Sequence, residues 1–250
     1  MEKQKIMLIA GCSHAAGSEI DGTEDSEYNR HHCFGSLLAH KIGYLPLNIS
    51  IAGNTNSGIA RNILKWFEAN YNSETMEVKV LVSWTDSTRM EIPVDRNAGP
   101  DILHTNWLDV TASRFYRVNI GWEGSDNIPG EKEITKLAHQ FIAANERFME
   151  IQSLNYILQI QYFLNSKNVK YLMTNGMPLF YSSSEHLGYY LSLVDSTKYY
   201  GIHNASEAFY TKYKELGYTN PKAKYWHHGE KPHQIFAEEL YNYIQENKCF

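Results

Sequence analysis

Cysteine is scarce in this 250-residue chain: there are three, Cys12, Cys33 and Cys249, an odd number with no Cys-x-x-Cys spacing. That excludes a disulfide framework and a thiolate zinc site, and reduced thiols in a cytoplasm are the expectation. A basic run is also missing. With 23 Lys+Arg against 28 Asp+Glu the net charge is −5, so nucleic acid is not an expected partner. No apolar stretch approaches the roughly 18 residues that cross a bilayer. Met1-Glu-Lys-Gln-Lys5 enters an apolar segment directly, without a secretory h-region, which leads us to expect a soluble, cytoplasmic protein. No internal repeat, low-complexity tract or cofactor-binding motif is visible, and the sequence leaves the oligomeric state open.

What is present is an ordinary globular composition, 43% hydrophobic and 20% charged, as expected for one domain over residues 1–250. The 18 tyrosines and 5 tryptophans are read mainly as packing. Amphipathic aromatics such as those of 181–213 also line carbohydrate or protein contact surfaces. Short aliphatic runs at 6–10, 47–51, 78–84 and 169–173 alternate with helical periodicity, which predicts a parallel sheet covered on both faces. Helices are expected at 34–43, from Asn56 or Ser57 onward, over about 134–164 and at 233–246. Between 93 and 130 periodicity fails over a span too long for an ordinary connection, which reads as an insertion beside the functional face. Residues 182–218 form a second irregular region.

Four segments carry chemistry. The first, Ile9-Ala-Gly-Cys-Ser13-His-Ala-Ala-Gly17, puts a hydroxyl in a small-residue turn after an apolar strand, where open α/β sheets place ligands. The second, Ile51-Ala-Gly53-Asn54-Thr-Asn56-Ser57-Gly58, combines a close-approach glycine with a helix start whose amides favour negative charge. The third is Ser83-Trp84-Thr85-Asp86, followed by Arg89 and Glu91, which bind a substrate carboxylate or pair with each other. The fourth, Trp226-His227-His228-Gly-Glu230-Lys-Pro-His233, precedes the terminal helix. A serine, backbone donors and a late histidine in this order make an acyl-transfer layout. Asn54 and Asn56 read equally as substrate contacts or as an Asx turn and a helix cap. The paired histidines His31-His32 and His227-His228 match no closed zinc motif, so no metal is expected.

These blocks resemble the SGNH hydrolases, the superfamily of the GDSL lipases and esterases, over nearly the whole chain. The resemblance implies a three-layer α/β/α sandwich with a central, mostly parallel five-stranded sheet of flavodoxin-like type. It makes Ser13 the nucleophile and an oxyanion donor, with Cys12 in place of the usual aspartate, and Gly53 a second donor. Thr85 falls where the family has an asparagine, beside Asp86. Counting back roughly ten residues from Ala237 in the last helix selects His227 as base, a spacing taken from the family pattern. Lys224 then stands where that family's aspartate should be. His233 competes because Glu230-Lys-Pro-His233 imitates acid-x-x-histidine. His227 is preferred on spacing, with His233 supporting it or facing substrate and Glu230 a substitute acid. The implied activity is hydrolysis of an ester, such as an O-acetyl group on a carbohydrate, through an acyl-enzyme. The alternative is a catalytically impaired SGNH-like binding or structural module, a virion component if the chain is bacteriophage-encoded, as its composition suggests by resemblance.

Overall fold

A computed structural model describes residues 2–94, 114–118, 131–180 and 187–250. Strand β1 is Gln4–Gly11, followed by the single helical turn α1, Ser13–Ala16. Helices α2 (Glu27–His32) and α3 (Phe34–Lys41) lead to β2, Leu45–Asn48. Next come α4 (Asn56–Asn70) and β3 (Met76–Trp84). A two-stranded antiparallel ribbon, β4 (Met90–Val94) with β5 (Arg114–Val118), frames the expected insertion, whose residues 95–113 and 119–130 lie outside the described residues. Then follow α5 (Glu131–Ala144), α6 (Glu146–Ser166), β6 (Lys170–Asn175), α7 (Gly188–Ser192), α8 (Phe209–Glu215) and α9 (Glu230–Asn247).

The main sheet is parallel, in the order β2-β1-β3-β6. Strand residues alternate sides, and both sides are apolar, as a sheet covered twice requires. Ile6, Leu8, Val80, Val82 and Tyr171 pack on α4 and α6 through Ile59, Ile63, Leu154 and Ile157. Met7, Ile9, Leu81 and Leu172 face α3, α8 and α9 through Phe34, Leu38, Phe209 and Phe236. This is the expected α/β/α layering. The strand count is four, not five, among the described residues. Where a fifth strand would lie, Tyr199 forms one isolated parallel bridge to Met173, and the Tyr200 N–H donates to the Met173 carbonyl at 2.9 Å. A 3-10 turn, Ser196–Lys198, precedes that bridge and Gly201, at φ 78°, bends the chain after it, so no ladder extends.

Several helix boundaries differ from expectation: α3 ends at Lys41 rather than 43, and α9 opens at Glu230 rather than 233. Thr55, not Asn56 or Ser57, caps α4, its side chain accepting from the Gly58 N–H at 3.1 Å. The stretch read as one helix over 134–164 is two, broken at Asn145, whose φ of −132° leaves the helical region. The sheet register sets Gly11 opposite Ser83 and Trp84 opposite Asn175. The carboxyl ends of β1, β3 and β6 therefore finish in one row, and the polar loops of the four segments gather there.

Candidate active site

At the end of β1, a Cβ on Gly11 would lie 2.6 Å from the Ala15 Cβ and 2.9 Å from the Ser83 carbonyl. Only glycine lets the strand turn there into α1, whose first residue is Ser13. Ser13 is 6% exposed, and its Oγ has no hydrogen-bond partner among the described residues. As the first residue of a helical turn its N–H has no intrahelical acceptor. The turn closes at Gly17, and the Ser18 N–H returns to the Ser13 carbonyl at 2.9 Å.

The next residue, Glu19, is the one the sequence reading missed. It adopts a left-handed φ of 64°, unusual for a non-glycine residue and a mark of an imposed conformation. Its buried carboxylate accepts from the Lys224 N–H at 2.7 Å and the Tyr225 N–H at 2.9 Å, and lies 2.6 Å from His227 Nδ1. The Glu19 carbonyl accepts from Asn220 Nδ2 at 2.6 Å, which ties the same loop down again. Burial alone would raise the Glu19 carboxyl, but the bonds from His227, Lys224 and Tyr225 outweigh it and hold it below its usual value. With Nδ1 on the carboxylate, the network assigns the proton to that nitrogen and leaves Nε2 as an acceptor. The His14 ring, adjacent to Ser13 in the chain, lies 5.0 Å centroid to centroid from the His227 ring, so the serine and histidine segments meet.

Lys224, where the resemblance would place an aspartate, thus contributes its backbone N–H to the Glu19 carboxylate. Glu230 does not reach His227: it opens α9, accepting from the Tyr28 hydroxyl at 3.1 Å and from Gln234 at 3.2 Å. His233 does not face a substrate either. It is 1% exposed, its Nδ1 accepts from the Phe34 N–H at 3.1 Å, and its ring lies against Phe34 and Phe209. Burial, reinforced by His228 and His227, pushes its pKa down to about 3 from 6.5. Burial likewise holds His14 well below 6.5.

These neutral histidines set an acid limit on the fold. Below pH 6.5 the unfolded chain binds protons that folded His233 refuses until about pH 3. Stability is complete above that window and drains as pH falls through it, by about 1.4 kcal/mol per unit for each such histidine. We expect the melting temperature to fall steadily from pH 6.5 to 5. His233→Asn, which keeps an acceptor for Phe34, should flatten that slope; an unchanged slope in the variant would refute the assignment.

The second loop presents Gly53 at φ 68°, a conformation glycine adopts without strain, and nothing among the described residues accepts its N–H. Asn54 is buried, with Nδ2 3.4 Å from the Gly11 carbonyl and Oδ1 accepting from the Thr55 N–H at 3.1 Å. Asn56 locks the second loop to the third: Oδ1 accepts from the Thr85 N–H at 2.9 Å, and Nδ2 donates to the Thr85 carbonyl and to Ser153 Oγ, both at 3.0 Å. Thr85 Oγ1 is fully buried and has no partner among the described residues. Asp86 Oδ1 accepts from the Thr88 N–H and hydroxyl at 2.8 and 2.6 Å, closing its own turn.

Arg89 and Glu91 do not pair with each other. Arg89 donates to the Asn54 carbonyl at 3.3 Å. Glu91 is buried and takes a bidentate fork from Arg61 at 2.7 and 3.0 Å, the Ser57 hydroxyl at 2.9 Å, and Arg117 at 3.7 Å. Arg117 also donates to the Ala52 carbonyl at 3.0 Å. This network fastens the β4–β5 ribbon to the loop bearing Gly53. His31 pairs with Glu27 at 3.6 Å and His32 stacks on Tyr28. Among the described residues no three His, Cys, Asp or Glu side chains are placed to share a metal ion, and no helix is long and apolar enough to cross a membrane.

No protein-family model matches the sequence, and none of the curated proteins does. Solved structures do match it. A carbohydrate esterase family 2 enzyme plus carbohydrate binding domain from Corynascus thermopiles (Myceliophthora fergusii) superposes with a TM-score of 0.50 at 10% identity, covering 100% of this chain and 68% of that one. A family two carbohydrate esterase from Clostridium thermocellum, in complex with cellohexaose, gives 0.49 at 10% identity over 99% of this chain and 66% of that one. An acetyl xylan esterase from the rumen bacterium Butyrivibrio proteoclasticus gives 0.47 at 13% identity over 99% and 65%. The chain thus spans about two thirds of the length of these enzymes. At such identities the likeness concerns the fold: four parallel strands, helices on both faces and polar loops at the strand ends are an SGNH hydrolase-like fold.

Proposed function

We propose that this protein is a serine esterase in which Ser13 is the nucleophile, His227 the general base and Glu19 the residue that positions His227. The observation that carries the reading is the buried carboxylate 2.6 Å from Nδ1 of the histidine that the family spacing selects. Such a contact fixes the tautomer and ring orientation that a base needs, and it supports the imidazolium that forms during attack. His227 Nε2 takes the Ser13 proton as Oγ adds to the ester carbonyl carbon. The N–H groups of Ser13 and Gly53 receive the developing oxyanion. The third donor is assigned to the Asn54 amide, whose Nδ2 comes within 3.4 Å of the Gly11 carbonyl at the base of the Ser13 turn. Collapse breaks the ester C–O bond, and the leaving alcohol takes the proton from His227. A water, activated by the same nitrogen, then adds to the acyl carbon, and its proton returns to Ser13 as the acid departs.

The substrate class of this reading is an O-acetyl group on a sugar, in keeping with the carbohydrate esterase that superposes at a TM-score of 0.50. The direct check is a panel of short p-nitrophenyl esters and O-acetylated oligosaccharides. We expect turnover of acetyl esters with a preference over butyryl and longer chains. Hydrolysis no faster than buffer for every ester would rule the reading out.

A further inference from the structure

Trp226 is 74% exposed, the most exposed of the large hydrophobic side chains among the described residues, and Tyr225 beside it is 52% exposed. Its backbone stands at φ 75°, which a bulky L-residue adopts only when its surroundings impose it. The cause is visible on either side. The Glu19 carboxylate takes the Lys224 and Tyr225 N–H groups before Trp226 and the His227 ring after it. One carboxylate therefore pins three of the four residues from 224 to 227, and the remaining one is thrown outward at the apex. An indole left in water on a strained but fixed backbone gains nothing for the fold. Its ordering cost is already met before any ligand arrives. It also directly precedes His227, the proposed base, in the chain.

We propose that Trp226 is a stacking platform for the sugar ring that carries the scissile ester, making it the residue that selects glycan esters over simple ones. This rests on the esterase reading above. The flat indole face matches the C–H face of a pyranose, burying apolar area without requiring a particular hydroxyl pattern. Tyr225, held by cation–π contact with Lys224 at 4.9 Å, extends the same aromatic edge.

The test compares wild type with Trp226→Gly and Trp226→Phe on O-acetylated xylo-oligosaccharides and on p-nitrophenyl acetate. Glycine suits a left-handed position, so Trp226→Gly should melt no lower than wild type. The ratio of kcat/KM for the glycan to that for p-nitrophenyl acetate should fall by about 10- to 100-fold in Trp226→Gly, through KM, and recover most of its value in Trp226→Phe. An unchanged ratio overturns the platform, because a residue acting only through His227 lowers both substrates together. If wild type turns over neither substrate, the esterase reading fails by itself. The platform is then read by calorimetry of xylo-oligosaccharide binding to Ser13→Ala with and without Trp226→Gly. Binding that Trp226→Gly abolishes supports it, and absence of binding to Ser13→Ala overturns it.

Discussion

Ser13→Ala is expected to lower kcat for p-nitrophenyl acetate by roughly 10⁴- to 10⁶-fold, the range typical for removal of a serine nucleophile. The loss should appear in kcat rather than KM, because Oγ forms its bond only as the ester reacts. Folding should be almost untouched. Ser13 Oγ has no hydrogen-bond partner among the described residues, and the turn is built by Gly11, Gly17 and backbone bonds. A melting temperature within a few degrees of wild type therefore separates lost chemistry from lost structure. Activity equal to wild type would remove Ser13 from the mechanism.

Glu19→Gln is the second large effect, and it tests the feature that sets this site apart from the pattern it resembles. A glutamine amide offers Nδ1 a donor as readily as an acceptor, so His227 loses its fixed tautomer, and kcat should drop by about 10²- to 10⁴-fold. The loop also suffers, since the Lys224 and Tyr225 N–H groups exchange a carboxylate for a neutral partner. That costs about 1–3 kcal/mol of stability. Structural damage alone would not be repaired by an acid placed elsewhere. Adding Lys224→Asp restores a carboxylate three residues before His227, where the related pattern carries it. The double variant should regain at least about tenfold in kcat over Glu19→Gln, a modest part of the general-base contribution. Failure to regain any activity, with the fold intact, would mean that Glu19 braces the loop without positioning the base.

Much of this arrangement could be read from the chain because it rests on local signals. Three of the four apolar runs became strands nearly as bounded, the fourth, 47–51, overlaps β2 only at 47–48, and the loops holding Ser13, Gly53 and Thr85 follow the carboxyl ends of strands of one sheet. What escaped was tertiary. Glu19 lies six residues after Ser13 in a turn-rich segment, and nothing local distinguishes it from the nearby Asp21, Glu24 or Asp25. Its role comes from a left-handed backbone and from partners more than 200 positions away. The one clue was negative: Lys224 in place of an aspartate left His227 without a carboxylate three residues before it, and Glu230 was the only substitute the spacing offered. His233 misled for the opposite reason, since acid-x-x-histidine is a spacing, and spacing does not report that Phe34 and Phe209 enclose the ring. The missing fifth strand has a similar origin, because Tyr199 and Tyr200 have strand-like side chains between a 3-10 turn and a glycine bend.

The most direct measurement is peptide mapping by mass spectrometry after a fluorophosphonate is added to the folded chain. We expect a single phosphonyl adduct, on Ser13, formed rapidly in wild type, far more slowly in Glu19→Gln and His227→Ala, and at the wild-type rate in Lys224→Ala, whose contact with Glu19 is through backbone. A folded wild-type chain that leaves Ser13 unlabelled, or carries the adduct on another residue, would show instead an SGNH-like scaffold without this esterase site.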